Sequence, residues 1–174
     1  MYVIPEISQE EAREIFSSRK YFLSKVIRKK NLPKRIELIY LPYYLFHLIL
    51  SGDDRKRKIS IAIDGLLGNV VFFVEENLKF EKDTDFNPCC DFLLSFEDAR
   101  EKVFEEYKWL LVESRAASTL KEINHGNQIF YPFWVGYFKK GRGYDFKALD
   151  GVSGEIQGVK MRKVFLRAFT LGDS

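Results

Sequence analysis

The sequence has few of the residues that most often build metal sites and catalytic triads. Its 174 residues include only two cysteines and two histidines. The cysteines, Cys89 and Cys90, are adjacent, so they can close only a strained disulfide ring and make a poor zinc site. We therefore predict no metal and no cofactor, and we interpret the pair as two thiols in a connecting loop. A dithiol that senses redox state or soft metals is the alternative.

We expect neither a secretion signal nor a membrane span. Glu6, Glu10 and Glu11 stand where a signal peptide has basic and then apolar residues. The longest apolar stretch, residues 38–50, is too short to cross a bilayer and contains Pro42. Because aromatic residues make up 16% of the chain, disorder is excluded for the whole. We expect a soluble cytoplasmic protein with no membrane partner.

Net charge is small at +3, but the basic residues are unevenly distributed. They are concentrated in residues 19–35, 55–58 and 139–142. Such clusters usually mark solvated helix ends and hairpin tips. They indicate contact with nucleic acid or another polyanion only if the fold brings them together on one face.

Three short motifs occur twice, in the same order. Residues 7–14 resemble 94–101, residues 41–44 resemble 131–134, and residues 62–70 resemble 148–156. The offsets are similar: 87 (7 to 94), 90 (41 to 131) and 86 (62 to 148). The pattern predicts an internal duplication.

Each predicted unit reads as a helix followed by three strands. Ser8 with Glu11 is a capping box that begins a helix over residues 9–29, and Ser95 with Asp98 begins a second helix that could run on through Leu120. Apolar and alternating stretches predict the strands, and for the tail, residues 161–171, a strand is favoured slightly over a short helix. The predicted strands are 36–50, 58–64 and 69–75 in the first unit, and 128–139, 144–150 and 155–160 in the second.

These elements predict an α+β fold built by internal duplication of a helix-strand-strand-strand unit. The first unit covers residues 1–76, a linker 77–93, and the second unit 94–174. We expect antiparallel strands with the helices packed on one face. Because each unit alone has a thin core, the two could share one sheet of about six strands. Two separate lobes are the alternative.

The second repeat resembles the PepSY family. The resemblance rests on the helix motif Glu97-Asp-Ala-Arg100 and on the stretch from Tyr144 to Ile156, which ends in Asp-Gly-Val-Ser-Gly-Glu-Ile. PepSY modules have Thr where Ser153 stands and Ala where Gly65 or Gly151 stands. The resemblance implies a non-catalytic module that binds or restrains a partner.

The candidate binding residues are two pairs of adjacent aromatics, each following a strand proline: Tyr43 with Tyr44, and Phe133 with Trp134. Because adjacent strand residues point to opposite faces, one of each pair could lie on an exposed sheet face, although both could be buried instead. Asp64 and Asp150 each precede a glycine, and we interpret them as turn residues rather than an acid–base pair.

These observations favour a non-enzymatic binding or regulatory module with no catalytic residues. Its partner would be a protein or peptide, engaged through a sheet edge or the aromatic face. The alternative is a protein that binds nucleic acid or another polyanion through the basic clusters. His47 and His125 have no matching nucleophile in the sequence, so an enzyme is the third hypothesis.

Overall fold

The computed structural model describes residues 1–17, 32–51, 56–72, 78–82, 88–114, 119–123 and 126–172. Within these ranges, eight strands form one mixed sheet and three helices pack on it, so the α+β prediction is confirmed. The strands are β1 (Tyr2–Val3), β2 (Arg35–Ser51), β3 (Lys56–Asp64), β4 (Val70–Phe72), β5 (Phe80–Glu81), β6 (Thr119–Ile123), β7 (Asn127–Lys140) and β8 (Gly143–Asp150). The helices are α1 (Gln9–Ser17), α2 (Phe96–Ser114) and α3 (Val159–Gly172).

Two long strands, one from each predicted unit, form the centre of the sheet. β2 pairs antiparallel with β7 from Arg35↔Tyr137 to Leu45↔Asn127. β3 and then β4 extend the sheet beyond β2, while β8 and β1 pair with β7 and β5 pairs with β1. β6 pairs with the last residues of β2. The two predicted units therefore contribute strands to a single sheet.

The expected purely antiparallel sheet is wrong at one pairing. β1 runs parallel to β7, with Tyr2 opposite Phe130, and β5 pairs antiparallel with β1. Both are two-residue strands, too short to show an alternating pattern, and β5 lies in the predicted linker.

Alternate residues of the central strands face two cores on opposite sides of the sheet. The odd-numbered residues of β2, such as Tyr43, pack with Val164 and Phe165 of α3. The even-numbered residues pack beneath α1 and α2. The two predicted helices therefore pack on one face, as expected, and α3, which was not foreseen, covers the other face.

Each of the first two helices packs on the strands of the other predicted unit. Ala12 and Phe16 of α1 lie against Trp134 and Phe138 of β7. Ala99 and Val103 of α2 belong to one cluster with residues of β2 and β3: Tyr44, Phe46, Leu48, Ile61 and Ile63. The small Ala12 and Ala99 side chains are fully buried, as close approach of a helix to a sheet requires. The two units thus exchange helices.

The two Asp-Gly turns make the same backbone hydrogen bonds. Gly65 N–H donates to Pro42 O (2.8 Å), and Gly151 N–H donates to Pro132 O (3.0 Å). Gly65 O accepts from Leu93 and Leu94 N–H, and Gly151 O accepts from the N–H groups of residues 6 and 7. Each turn is therefore hydrogen-bonded to the residues that come just before a helix, α2 for the Gly65 turn and α1 for the Gly151 turn. The duplication itself stays a prediction that these matching contacts support.

The helix starts agree with the sequence, and several later boundaries do not. Ser8 and Glu11 form the expected reciprocal cap (Ser8 N–H to Glu11 Oε2, 2.8 Å). The predicted continuation of α1 falls in residues 18–31, outside the described ranges. Leu120, expected in the second helix, lies in β6.

The largest error concerns the chain after β8. Of the strand predicted over residues 155–160, only the isolated bridge Leu149↔Ile156 forms, and residues 159–160 already belong to helix α3. The tail predicted as a strand continues this helix. Val164, Phe165 and Ala168 lie on one side of a helix and are all buried, so helical spacing, and not the weak alternation, describes this segment.

Candidate functional site

The four aromatic residues predicted as a binding surface lie in the core. The exposed fractions are 1% for Tyr43, 2% for Tyr44, 3% for Phe133 and 8% for Trp134. Neighbouring residues point to opposite faces as expected, but helices cover both faces. Of the two alternatives for these pairs, burial of both aromatics is therefore the one that the structure shows, and neither pair lies on an open sheet face.

The second aromatic of each pair donates a hydrogen bond to the backbone at the start of a helix. Tyr44 Oη–H donates to Leu94 O (2.8 Å), immediately before the Ser95 cap of α2. Trp134 Nε1–H donates to Ile7 O (2.7 Å), immediately before the Ser8 cap of α1. A buried ring with one polar atom contributes apolar area and also satisfies a partly buried backbone carbonyl.

The strand edges that the structure describes around these rings are partly capped by side chains. On β8, Phe146 N–H donates to Asp145 Oδ1 (2.9 Å), and Phe146 O accepts from Arg162 Nη1 (2.9 Å). On the free side of β2, Tyr40 O accepts from the Cys89 thiol (3.1 Å). Such capping blocks the addition of another strand at these points.

Asp64 and Asp150 stabilise their turns by accepting backbone hydrogen bonds, as predicted. The fully buried Asp64 carboxylate accepts four hydrogen bonds, three from backbone N–H groups and one from the Asn69 side chain. Asp150 Oδ1 accepts from two turn N–H groups and from Tyr131 Oη (2.9 Å). Burial raises the pKa of Tyr131, with a further contribution from the Asp150 charge, so Tyr131 acts as a donor.

Some of the predicted basic clusters meet at one end of the sheet, and one does not. Arg35 lies opposite Tyr137, and Lys34 N–H donates to Tyr137 O, two residues before Lys139. Lys58 lies opposite Ile49, at the other end of β2. At about 3.3 Å per residue, roughly 45 Å of strand separates these ends. Residues 19–31 and Arg55 lie outside the described ranges.

We call the first of these regions the basic end. Its side chains come from the start of β2, the hairpin between β7 and β8, and the first turns of α3. Two carboxylates, Glu37 and Asp145, lie among six cations. The basic end consists of Lys34, Arg35, Lys139, Lys140, Arg142, Arg162 and the aromatic Tyr144.

The carboxylates neutralise only part of this charge. Asp145 Oδ2 contacts Lys140 Nζ (3.1 Å) and Asp145 Oδ1 contacts Arg162 Nη2 (2.7 Å). The hydrogen bond from Lys140, and then that from Arg162, lower the pKa of Asp145. Glu37 pairs with Arg35 and also accepts from Tyr137 Oη.

Three cations of the basic end remain available. Within the described part of the chain, the exposed Lys34, Lys139 and Arg142 make no ion pair. Arg142 lies in a turn where the positive φ of Gly141 (61°) reverses the chain.

Tyr144 is the most exposed aromatic beside these cations, at 70%. It lies opposite Lys139 in the β7–β8 ladder, so the two side chains share a face of the sheet. Tyr137, half-buried, lies diagonally next to it on that face, with the Arg35 guanidinium 5.8 Å from its ring centre. The 139–142 cluster was recognised in the sequence, but Tyr144, two residues after its end, was not.

The described residues offer little for catalysis. His47 Nδ1 lies 3.1 Å from Ser60 Oγ across the β2–β3 ladder, a pairing that the sequence did not suggest. Cross-strand polar pairs of this kind are ordinary in sheets. No group of three or more potential metal ligands occurs in the part of the chain that the structure describes.

Comparison with known proteins gives no relative: no protein-family model, curated protein or solved structure matches this chain. The PepSY resemblance therefore stays a prediction. Among the described helices, none has the length and apolar character needed to cross a membrane.

Proposed function

We propose that the protein binds the phosphate backbone of single-stranded nucleic acid at the basic end. The observation that carries this proposal is the meeting of Lys34 and Arg35 with the 139–142 hairpin. A cluster of cations is the electrostatic footprint of a nucleic-acid binder, and phosphate contacts supply most of the non-specific affinity.

The three available cations and the exposed Tyr144 ring together favour single-stranded over double-stranded nucleic acid. Lys34, Lys139 and Arg142 are not neutralised by any described carboxylate, so each can contact a phosphate. Tyr144, 70% exposed opposite Lys139, offers a face on which an unpaired base can stack. Alternating cations and aromatics are how proteins hold single strands without reading their sequence.

A salt titration of binding tests the proposal. Fluorescence anisotropy would measure the affinity for a labelled single-stranded oligonucleotide at increasing salt. For three phosphate contacts the slope of log K against log salt is about −2.1, so a fourfold rise in salt weakens binding roughly 20-fold. Absent binding, or binding insensitive to salt, would overturn the proposal.

Charge-removing variants locate the site. Lys139→Ala with Arg142→Ala should make the slope shallower by about 1.4, because two phosphate contacts are lost. Lys79→Ala with Lys108→Ala removes the same charge away from the basic end and should leave the slope nearly unchanged. An equal effect of both pairs would point to diffuse charge attraction instead.

A protein partner, the leading prediction from the sequence, is the second candidate. It no longer rests on the buried aromatic pairs but on Trp109 of α2, which is 68% exposed. Tryptophan is enriched in the energetic centres of protein interfaces. A partner isolated with the wild type should be lost with Trp109→Ala and kept with Tyr144→Ala, and loss with both variants would argue against this surface.

A further inference from the structure

The adjacent cysteines lie close enough together to react with each other. Both are free thiols, and the two Sγ atoms are 3.6 Å apart. Cys89 is half-buried and Cys90 is buried as a member of the core cluster that includes Tyr43, while Cys89 Sγ also lies 3.1 Å from Tyr40 O. The segment that holds them leads directly to Leu93 and Leu94, which anchor the start of α2 on the Gly65 turn.

The pKa values of the two thiols are shifted in opposite directions. The hydrogen bond between the two sulfurs lowers the pKa of Cys90. That same bond, together with burial, raises the pKa of Cys89. One sulfur can thus lose its proton while the second stays protonated beside it, and the two steps of thiol–disulfide exchange need such a pair.

We propose that Cys89 and Cys90 are a redox-modification site that closes reversibly to an intramolecular disulfide by exchange with a small-molecule disulfide of the glutathione class. One cysteine thiolate attacks a sulfur of the small disulfide and releases one thiol. The other cysteine loses its proton to solvent and attacks the protein sulfur of the mixed disulfide, so that the Cys89–Cys90 bond forms and the second small thiol is released. The protein dithiol is oxidised by two electrons, and the small disulfide is reduced to two thiols.

Chain geometry makes this bond reversible rather than structural. The Cα atoms of adjacent residues are about 3.8 Å apart, whereas disulfides usually join Cα atoms about 4.4–6.8 Å apart. The closed ring is therefore strained, and strained disulfides are the ones that small thiols reduce easily.

Oxidation also alters a neighbouring contact. Once the disulfide has formed, Cys89 has no S–H group to donate to Tyr40 O on the open side of β2. Because the same segment leads to Leu93 and Leu94, we expect the attachment of α2 to loosen in the oxidised protein. The amide hydrogens of these two residues should then exchange faster with solvent.

The test uses the full-length protein equilibrated in buffers of increasing oxidised-to-reduced glutathione ratio. After alkylation of the remaining thiols, intact mass spectrometry counts the reactive cysteines. We expect a species that lacks two hydrogen atoms, carries no alkyl group, and returns to the dithiol when excess reduced glutathione is added. A doubly alkylated protein at every ratio, a glutathione adduct alone, or a disulfide-linked dimer would each overturn the proposal.

Two matched variants separate the intramolecular bond from side reactions. Cys89→Ser and Cys90→Ser each keep the volume of the site but leave one sulfur, so neither can lose two hydrogen atoms. The wild-type mass result decides the proposal even if a variant folds poorly. Nucleic-acid binding plays no part in the measurement, so the outcome is independent of the proposed function.

Discussion

At the residue scale, the Tyr44 hydroxyl and the Trp134 indole N–H show how one polar group on a buried aromatic side chain can stabilise the protein. Each ring fills a core position, and each ring donates to a carbonyl immediately before a helix cap. A phenylalanine at either position would keep most of the apolar area and leave that carbonyl without a donor. Removing the donor destabilises the protein, because the partly buried carbonyl that remains is incompletely solvated.

Tyr44→Phe should lower the free energy of unfolding by about 1–2 kcal/mol, since Leu94 O loses its donor. Urea denaturation followed by circular dichroism would measure it. Tyr144→Phe removes the same hydroxyl from a ring that is 70% exposed and should change stability by less than about 0.5 kcal/mol. Equal effects of the two substitutions would mean that the Tyr44 hydroxyl has no special role.

Asp145 gives the basic end a dependence on pH. Lys140 and Arg162 lower its pKa below the ordinary value of 3.8, so the ionised form is favoured in the folded protein. The stabilisation is therefore present above about pH 4 and is lost as the pH falls through the lower folded pKa.

Asp145→Asn should cost about 0.5 kcal/mol near pH 6, a small value because the pair is largely solvated. Thermal unfolding at several pH values would show the difference between wild type and variant shrinking towards zero near about pH 2. A difference that stays constant with pH would show that charge is not its source.

At the scale of helices and strands, the features that could be predicted from the sequence are those that local interactions determine. The Ser8 cap, the Asp64 and Asp150 turns, and strands β2, β3, β7 and β8 follow from capping, turn preference and apolar pattern. β1 and β5 could not be predicted because two residues carry no period, and their pairing depends on tertiary contacts. The tail was misread because a short stretch of alternating residues also fits one face of a helix.

The candidate site was predictable only in its parts. The Lys139–Arg142 cluster is visible in the sequence, but its meeting with Lys34 and Arg35 depends on the β2–β7 register. The aromatic pairs were assigned to a surface because nothing in their local sequence reveals α3 on one side and the exchanged helices on the other. Burial is a property of the assembled sheet.

A substitution at Gly151 tests how tightly its turn packs on Pro132. A Cβ added there would lie 2.8 Å from Pro132 O, which is backbone and cannot move aside easily. Gly151→Ala should therefore destabilise the protein by about 1–3 kcal/mol through overpacking.

Gly143→Ala is its control, because no atom lies within 4 Å of the added Cβ. It should change stability by less than about 0.5 kcal/mol. Both variants can be compared by denaturant unfolding. If Gly151→Ala were as stable as Gly143→Ala, the contact between this turn and Pro132 would not be tight in solution.

For the whole molecule, the exchange of helices means that neither predicted unit has a core of its own. α1 covers β7, β8 and the first residues of β2, α2 covers β2 and β3, and α3 covers the opposite face of both central strands. The two halves are also joined by the longest ladder in the sheet, β2 with β7. Cooperative unfolding in a single transition follows, because loss of either half exposes apolar surface on the other.

Cutting the chain between the halves tests this interdependence. A protease site inserted within residues 83–87 would allow cleavage of the folded protein into two fragments. Because each fragment holds the helix that covers the other's strands, we expect the fragments to stay associated. They should elute together at the position of the uncut protein in size-exclusion chromatography, and separate only in denaturant. An uncleaved sample of the same insertion variant is the control. If the fragments separated under native conditions, each half would have to fold alone, and the exchanged helices would not be what holds the molecule together.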